Sequence, residues 1–110
     1  MGNKGFMGIT RVERGGTFRF HVQGDMTFSS VKELLQRSMT LFSSEQELEI
    51  DLTEVDHADS AGLALVLEWM AQAAERKAKV VFTGMPESII SIARLCQVES
   101  LLHESDPSTP

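Results

Sequence analysis

Between Asp51 and Ser60 the chain reads Asp-Leu-Thr-Glu-Val-Asp-His-Ala-Asp-Ser, which gathers four carboxylates, one imidazole and two hydroxyls into ten residues. Three chemistries are open to such a set. Asp59, His57 and Ser60 are the residue types of a nucleophilic hydrolase, but triad members are normally brought from separate segments so that base and nucleophile align, and a four-residue stretch does not achieve this. Asp51, Asp56 and Asp59 offer the oxygen ligands that suit calcium or magnesium, yet their spacing fits no EF-hand loop, and a solvated acidic loop explains them more simply. The expectation is therefore no catalytic residues and no metal. The third possibility is a helix start. If a helix opens at Ser60, its first backbone N–H groups have no partner within the helix and are partly positive, so Asp59 or Ser60 can cap them and an anion can rest there. A phosphate on Ser60 would gain from that helix end and be opposed by Asp56 and Asp59. Gly62, with no side chain, lets another surface approach the backbone closely.

The elements that must hold this segment follow from hydrophobic periodicity. Ile9 to Glu13 and Thr17 to Gln23 flank Arg14-Gly15-Gly16 and predict an antiparallel hairpin, the second strand alternating Phe18, Phe20 and Val22 with Arg19, His21 and Gln23 before Gly24-Asp25 ends it. Apolar residues at 28, 31, 34, 35, 39, 41 and 42 predict an amphipathic helix from Phe28 to Phe42, with Thr27 or Ser29 as N-cap. Leu48, Ile50 and Leu52 alternate with Glu47, Glu49 and Asp51, a strand with one apolar and one acidic face. Such alternation requires a sheet with one open face. Thr53 to Asp59 reads as a polar loop. Ser60 to Lys77 reads as a helix whose stripe is Leu63, Val66, Leu67, Met70, Ala73 and Ala74, with Arg76 and Lys77 at its negative end. Trp69 lies one residue off that stripe, which fits either half-buried packing or an exposed interface anchor. Lys79 to Thr83 is a further strand. Pro86 opens a last helix whose period runs through Ile89, Ile90, Ala93, Leu95 and Cys96, with Cys96 expected in the core together with the methionines. The order β-β-α-β-α-β-α predicts an α/β fold: a single domain over residues 1–104, a mixed sheet with helices mainly on one face, and a disordered tail at 105–110.

The 110 residues, 42% hydrophobic and 24% charged, suit one domain. The net charge of −6 opposes binding to nucleic acid or to an anionic membrane surface. Its excess of acid is local: Glu45, Glu47, Glu49, Asp51, Glu54, Asp56 and Asp59 fall within fifteen residues that hold no Lys or Arg. No apolar run approaches the roughly 20 residues that span a bilayer, and MGNKGFMGIT lacks the apolar core of a secretion signal, so neither a membrane span nor secretion is expected. With a single cysteine there is no internal disulfide, and the expected location is the cytoplasm.

Asp51-Leu52-Thr53, then Val55, then Asp59-Ser60-Ala61-Gly62-Leu63 resembles the STAS family, shared by sulphate transporters and anti-sigma factor antagonists, in which a strand ending Asp-Leu-Ser/Thr precedes Asp-Ser/Thr-x-Gly-Leu at the start of the second helix. The element order agrees over nearly the whole chain. Two branches differ in what they imply. In anti-sigma factor antagonists the serine matching Ser60 is phosphorylated by a partner kinase, and its state selects the bound protein. In the MlaB branch the domain is a small cytoplasmic subunit of the ABC transporter that maintains outer-membrane lipid asymmetry, and it binds and supports the ATPase subunit. Leu63-Ala64-Leu65-Val66-Leu67-Glu68-Trp69, Val81-Phe82-Thr83-Gly84-Met85-Pro86 and Ile92-Ala93-Arg94-Leu95 look more like this second branch. The resemblance implies a non-catalytic subunit that contacts the ATPase, with the permease in the same complex, through Asp59, Ser60, Ala61, Gly62, Leu63 and Trp69. ATP would belong to the partner, and the chain, with no cofactor of its own, would sit at the inner membrane only through that partner. The alternative is an antagonist switched by phosphorylation of Ser60, with an anti-sigma factor kinase as partner.

Overall fold

The computed structural model describes residues 8–14, 17–42 and 47–104. Five strands and four helices follow the order β1 (Gly8–Arg14), β2 (Thr17–Met26), α1 (Val31–Leu41), β3 (Glu47–Asp51), β4 (Val55–Ala58), α2 (Ser60–Glu75), β5 (Lys79–Thr83), α3 (Glu87–Leu95) and α4 (Glu99–Glu104). The sheet runs β1-β2-β3-β5. β1 is antiparallel to β2 with Arg14 opposite Thr17, and β3 and β5 are parallel to it. The expected Gly15-Gly16 turn and the tail at 105–110 lie outside the described residues.

β2 is longer than its alternation indicates. Gly24 adopts φ 94°, which a residue without Cβ tolerates, and the register slips between Gly24 and Asp25. Beyond this bulge β2 leaves β3 and pairs with β4, Asp25 opposite His57 and Met26 opposite Ala58. The stretch read as a polar loop is thus partly a strand. Four residues with exposed Asp56 and His57 carry no alternating apolar signal, and only the backbone pairing with β2 makes them one.

The apolar faces meet as expected. Phe20 and Val22 of β2, Leu48 and Ile50 of β3, and Phe82 of β5 are buried with Leu34 of α1, Leu63 and Val66 of α2, and Ile89 and Ala93 of α3. Through the centre runs an aromatic file: Phe20 to Phe42 at 4.6 Å, Phe42 to Trp69 at 5.6 Å in an edge contact, and Trp69 to Phe82 at 6.4 Å. On the opposite face the described side chains of β2 and β3 are polar. Along β2 every second side chain finds a partner on the neighbouring parallel strand or the loop behind it. Arg19 meets Glu49 at 2.8 Å, His21 Nδ1 meets Asp51 at 3.1 Å, Gln23 donates to Glu54 at 2.8 Å, and Asp25 meets His57 Nδ1 at 3.2 Å.

Several expectations are corrected here. α1 begins at Val31, not Phe28, because Thr27 to Ser30 form a turn: the Ser30 and Val31 amides donate to the Thr27 carbonyl at 2.9 and 3.0 Å. Ser30, not Thr27 or Ser29, occupies the N-cap position. Met39, Leu95 and Cys96 are exposed rather than core. α3 stops at Leu95 because the chain turns there. Gln97 takes φ 63°, its amide donates to Arg94 at 3.1 Å, and the Val98 amide donates to Ala93 at 2.9 Å, a left-handed cap that starts the chain toward α4. Lys77 closes α2 in the same way, with φ 59° and the Ala78 amide donating to Ala73 at 2.8 Å.

Candidate interaction site at the start of the second helix

Asp59 organises the end of the molecule where β2, β4 and α2 converge. Its backbone is extended, and its Oδ1 accepts from the Ala61 amide at 2.8 Å, so Asp59 rather than Ser60 is the N-cap of α2. Its Oδ2 accepts from the Phe28 amide at 3.2 Å, tying the β2–α1 turn to the helix start. Its own amide donates to the Met26 carbonyl at 3.3 Å. With both carboxylate oxygens on backbone amides and His57 turned to Asp25, the Asp59, His57 and Ser60 side chains do not form the linked series a hydrolase would need.

Gly62 is buried because the chain's own backbone approaches it. A Cβ there would lie 2.5 Å from the Met26 carbonyl oxygen and 3.1 Å from the Met26 Cβ. The surface that needs this glycine is therefore β2, not a partner. Leu63 is also turned inward, into the core. Trp69 is 2% exposed, its Nε1–H donating to Ser38 Oγ at 2.7 Å while the Ser38 hydroxyl donates to the Leu35 carbonyl at 2.7 Å. The reading of Trp69 as an exposed anchor is thus corrected. Its ring completes the aromatic file, and the single polar atom of the indole is satisfied inside. Of the six residues expected to bind a partner, Ser60 is exposed, Asp59 and Ala61 are half-buried, and Gly62, Leu63 and Trp69 position the turn from below.

Beside this turn the fold places a residue that periodicity had assigned to a helix face. Phe28 is 85% exposed and one backbone hydrogen bond from Asp59. Ala64, a turn further along α2, is exposed as well. The only signal in the sequence that could have placed Phe28 outside the helix is the Thr-Phe-Ser-Ser run, whose hydroxyl residues favour turns and caps.

The motif's other half is held separately. Asp51 Oδ1 accepts from both the Thr53 amide and the Thr53 hydroxyl, and Gly84, at φ 68°, passes so close that a Cβ would stand 2.8 Å from the Thr53 nitrogen. Burial alone pushes the Asp51 carboxyl up, but the Thr53 hydrogen bonds and the charges of His21 and Arg19 together outweigh it and hold the group below its ordinary value. Asp-Leu-Thr is in this sense a structural clasp at the end of β3. Among the described residues no three His, Cys, Asp or Glu side chains are placed to share a metal ion, and no helix is long and apolar enough to cross a membrane.

The family model described as Mlab, STAS domain matches residues 9–103. The chain belongs to the STAS family. Among solved structures, this STAS domain is similar to the anti-sigma factor antagonist SpoIIAA in its unphosphorylated form, with TM-score 0.63 and 13% identity over 84% of this chain and 83% of that one. It is similar to an anti-sigma factor antagonist from Mycobacterium paratuberculosis, with TM-score 0.64 and 20% identity over 94% and 85%. A sulfate transporter family protein from Wolinella succinogenes gives TM-score 0.64 and 13% identity over 89% and 84%. These likenesses show the fold. No curated protein matches the chain. A STAS domain is a regulatory or interaction module that works by contacting partner proteins, and in this one the Asp59–Leu63 motif sits where β2, β4 and α2 converge.

Proposed function

We propose that this STAS domain is a non-catalytic subunit that binds and supports the cytoplasmic ATPase of an ABC transporter for phospholipids, in the process that maintains outer-membrane lipid asymmetry. The observation that carries the reading is that the family model matching residues 9–103 is the one described as Mlab, STAS domain. The geometry is compatible with it. A rigid turn presents the Ser60 hydroxyl to solvent, next to the half-buried Ala61 and the exposed Ala64, small residues that let a partner come close. Asp56 and Glu54, both exposed, give the approach a negative potential that suits basic residues on the ATPase and raises encounter rates at low salt. The permease stands in the same complex, ATP is bound and hydrolysed by the ATPase, and the chain is held at the inner membrane through its partner.

Co-purification tests this. The tagged chain should recover the ABC ATPase, and Ser60→Arg should abolish recovery while leaving the domain folded, since Ser60 is exposed and is not the cap. Gly62→Arg is a poor substitute because it strikes the Met26 carbonyl and would lose binding by unfolding the turn. Recovery of a kinase with stoichiometric phosphate on Ser60, and no ATPase, would overturn the reading in favour of a phosphorylation-switched antagonist.

A further inference from the structure

Resting on that reading, we infer that Phe28 is the anchor of the partner interface and that the ATPase receives it in an apolar pocket rimmed by basic side chains. A large aromatic ring at 85% exposure gains nothing for the fold, and single exposed apolar residues are ordinary on protein surfaces. Phe28 differs from the others in how it is held. The Thr27 amide donates to Ser30 Oγ at 2.9 Å, the Ser30 hydroxyl donates to the Asp25 carbonyl at 2.7 Å, and the Ser30 and Val31 amides close the turn on Thr27. Ser30, 3% exposed, is the buried pin of this turn. The fifth bond, from the Phe28 amide to Asp59, fixes the tip against the start of α2.

The backbone under the ring is therefore ordered before any partner arrives, and a preorganised aromatic contact loses little freedom on binding. Aromatic anchors of this kind carry a disproportionate share of interface energy. Among the described residues the other large exposed apolar ones, Met39, Leu95 and Leu101, have no such link to the Asp59 turn. Charge fixes the chemistry of the pocket's rim. Asp25 lies in the strand leading into the turn and Asp56 in β4, which pairs with that strand. Both are exposed, residues 45–59 contain no Lys or Arg to offset them, and the exposed Lys32 of α1 is outnumbered by these two acids and Glu33.

The test is a titration of the purified ATPase with the full chain and its variants, alongside thermal unfolding. Phe28→Ala should weaken the Kd about 10- to 100-fold with Tm unchanged, and Phe28→Leu, which keeps an apolar side chain, should recover most of the loss. Asp56→Asn should slow association at low salt and flatten its salt dependence without altering Tm. An unchanged Kd for Phe28→Ala overturns the anchor and leaves the proposed function standing. A wild-type chain that does not bind the ATPase overturns both. Association rates equal at low and high salt overturn the basic rim.

Discussion

Replacing Gly62 by alanine sets two effects of opposite sign against each other, and the structure decides between them. In a helix, alanine is favoured over glycine by up to about 1 kcal/mol, so propensity alone makes the variant more stable. Against this stands the Met26 carbonyl. The new Cβ would lie 2.5 Å from its oxygen, where an ordinary contact begins near 3.4 Å, and 3.1 Å from the Met26 Cβ. The oxygen cannot simply move aside. It belongs to the backbone of β2, whose next pairing is Met26 with Ala58, and it accepts the Asp59 amide at 3.3 Å. Forcing a methyl group into a filled site costs about 1–3 kcal/mol, and 2.5 Å from a backbone oxygen calls for the upper part of that range. After the roughly 1 kcal/mol of propensity is subtracted, the net expectation is a loss of about 1–2 kcal/mol. In a domain of this size that lowers Tm by roughly 5–10 °C. Urea unfolding of wild type and Gly62→Ala measures it, with Ala64→Gly on the exposed face of α2 as the control for propensity, expected to lose about 1 kcal/mol. If Gly62→Ala is instead as stable as wild type or more so, the close approach of α2 to β2 is not a real constraint.

Ser38→Ala strands the Trp69 indole N–H in the core and should cost about 1–3 kcal/mol in urea unfolding, followed by the fluorescence of the chain's single, buried tryptophan as it becomes exposed. Gln97→Gly relieves left-handed strain of about 1–2 kcal/mol but adds freedom to the unfolded chain, leaving a gain of up to about 1 kcal/mol in urea unfolding. The Asp51 carboxyl titrates below its ordinary 3.8 when folded, so its contribution to stability is fully present above that value and is lost as pH falls through the lower, folded one. Asp51→Asn should therefore lower stability at neutral pH and flatten its decline on acidification.

Much of this fold can be read from two periodicities. Leu48, Ile50 and Leu52 against Glu47, Glu49 and Asp51 mark a strand with one open face, and the core takes the first set while Arg19 and His21 meet Glu49 and Asp51 on the other side. What escaped was set by backbone pairing. β4 exists because β2 continues past the Gly24 bulge, and no side-chain pattern in Val55–Ala58 announces it. Phe28 and Leu95 fit helical spacing, yet each stands exposed at an element's edge, where a turn held by Ser30 or a cap at Gln97 redirects the chain. At the site, the motif places the turn correctly but not the duties within it. Asp59 caps, Gly62 admits β2, Leu63 and Trp69 fill the core, and Ser60 alone of the motif's hydroxyl and acid pair is offered outward. Spacing cannot separate these roles, because Trp69 lies only one residue off the apolar stripe and its direction depends on Ser38, thirty-one residues earlier. The acidic run divides likewise. Glu49, Asp51 and Glu54 pair across the open face, Asp59 caps, and Asp56 is exposed.

Under the proposed function this STAS domain holds an ABC ATPase through the Ser60 turn. Titrating the purified ATPase with the full chain and with Ser60→Arg tests it most directly. Saturable binding by the wild type, lost in a Ser60→Arg variant of unchanged Tm, is the predicted result; no binding by the wild type, or equal affinity for the two chains, would contradict it.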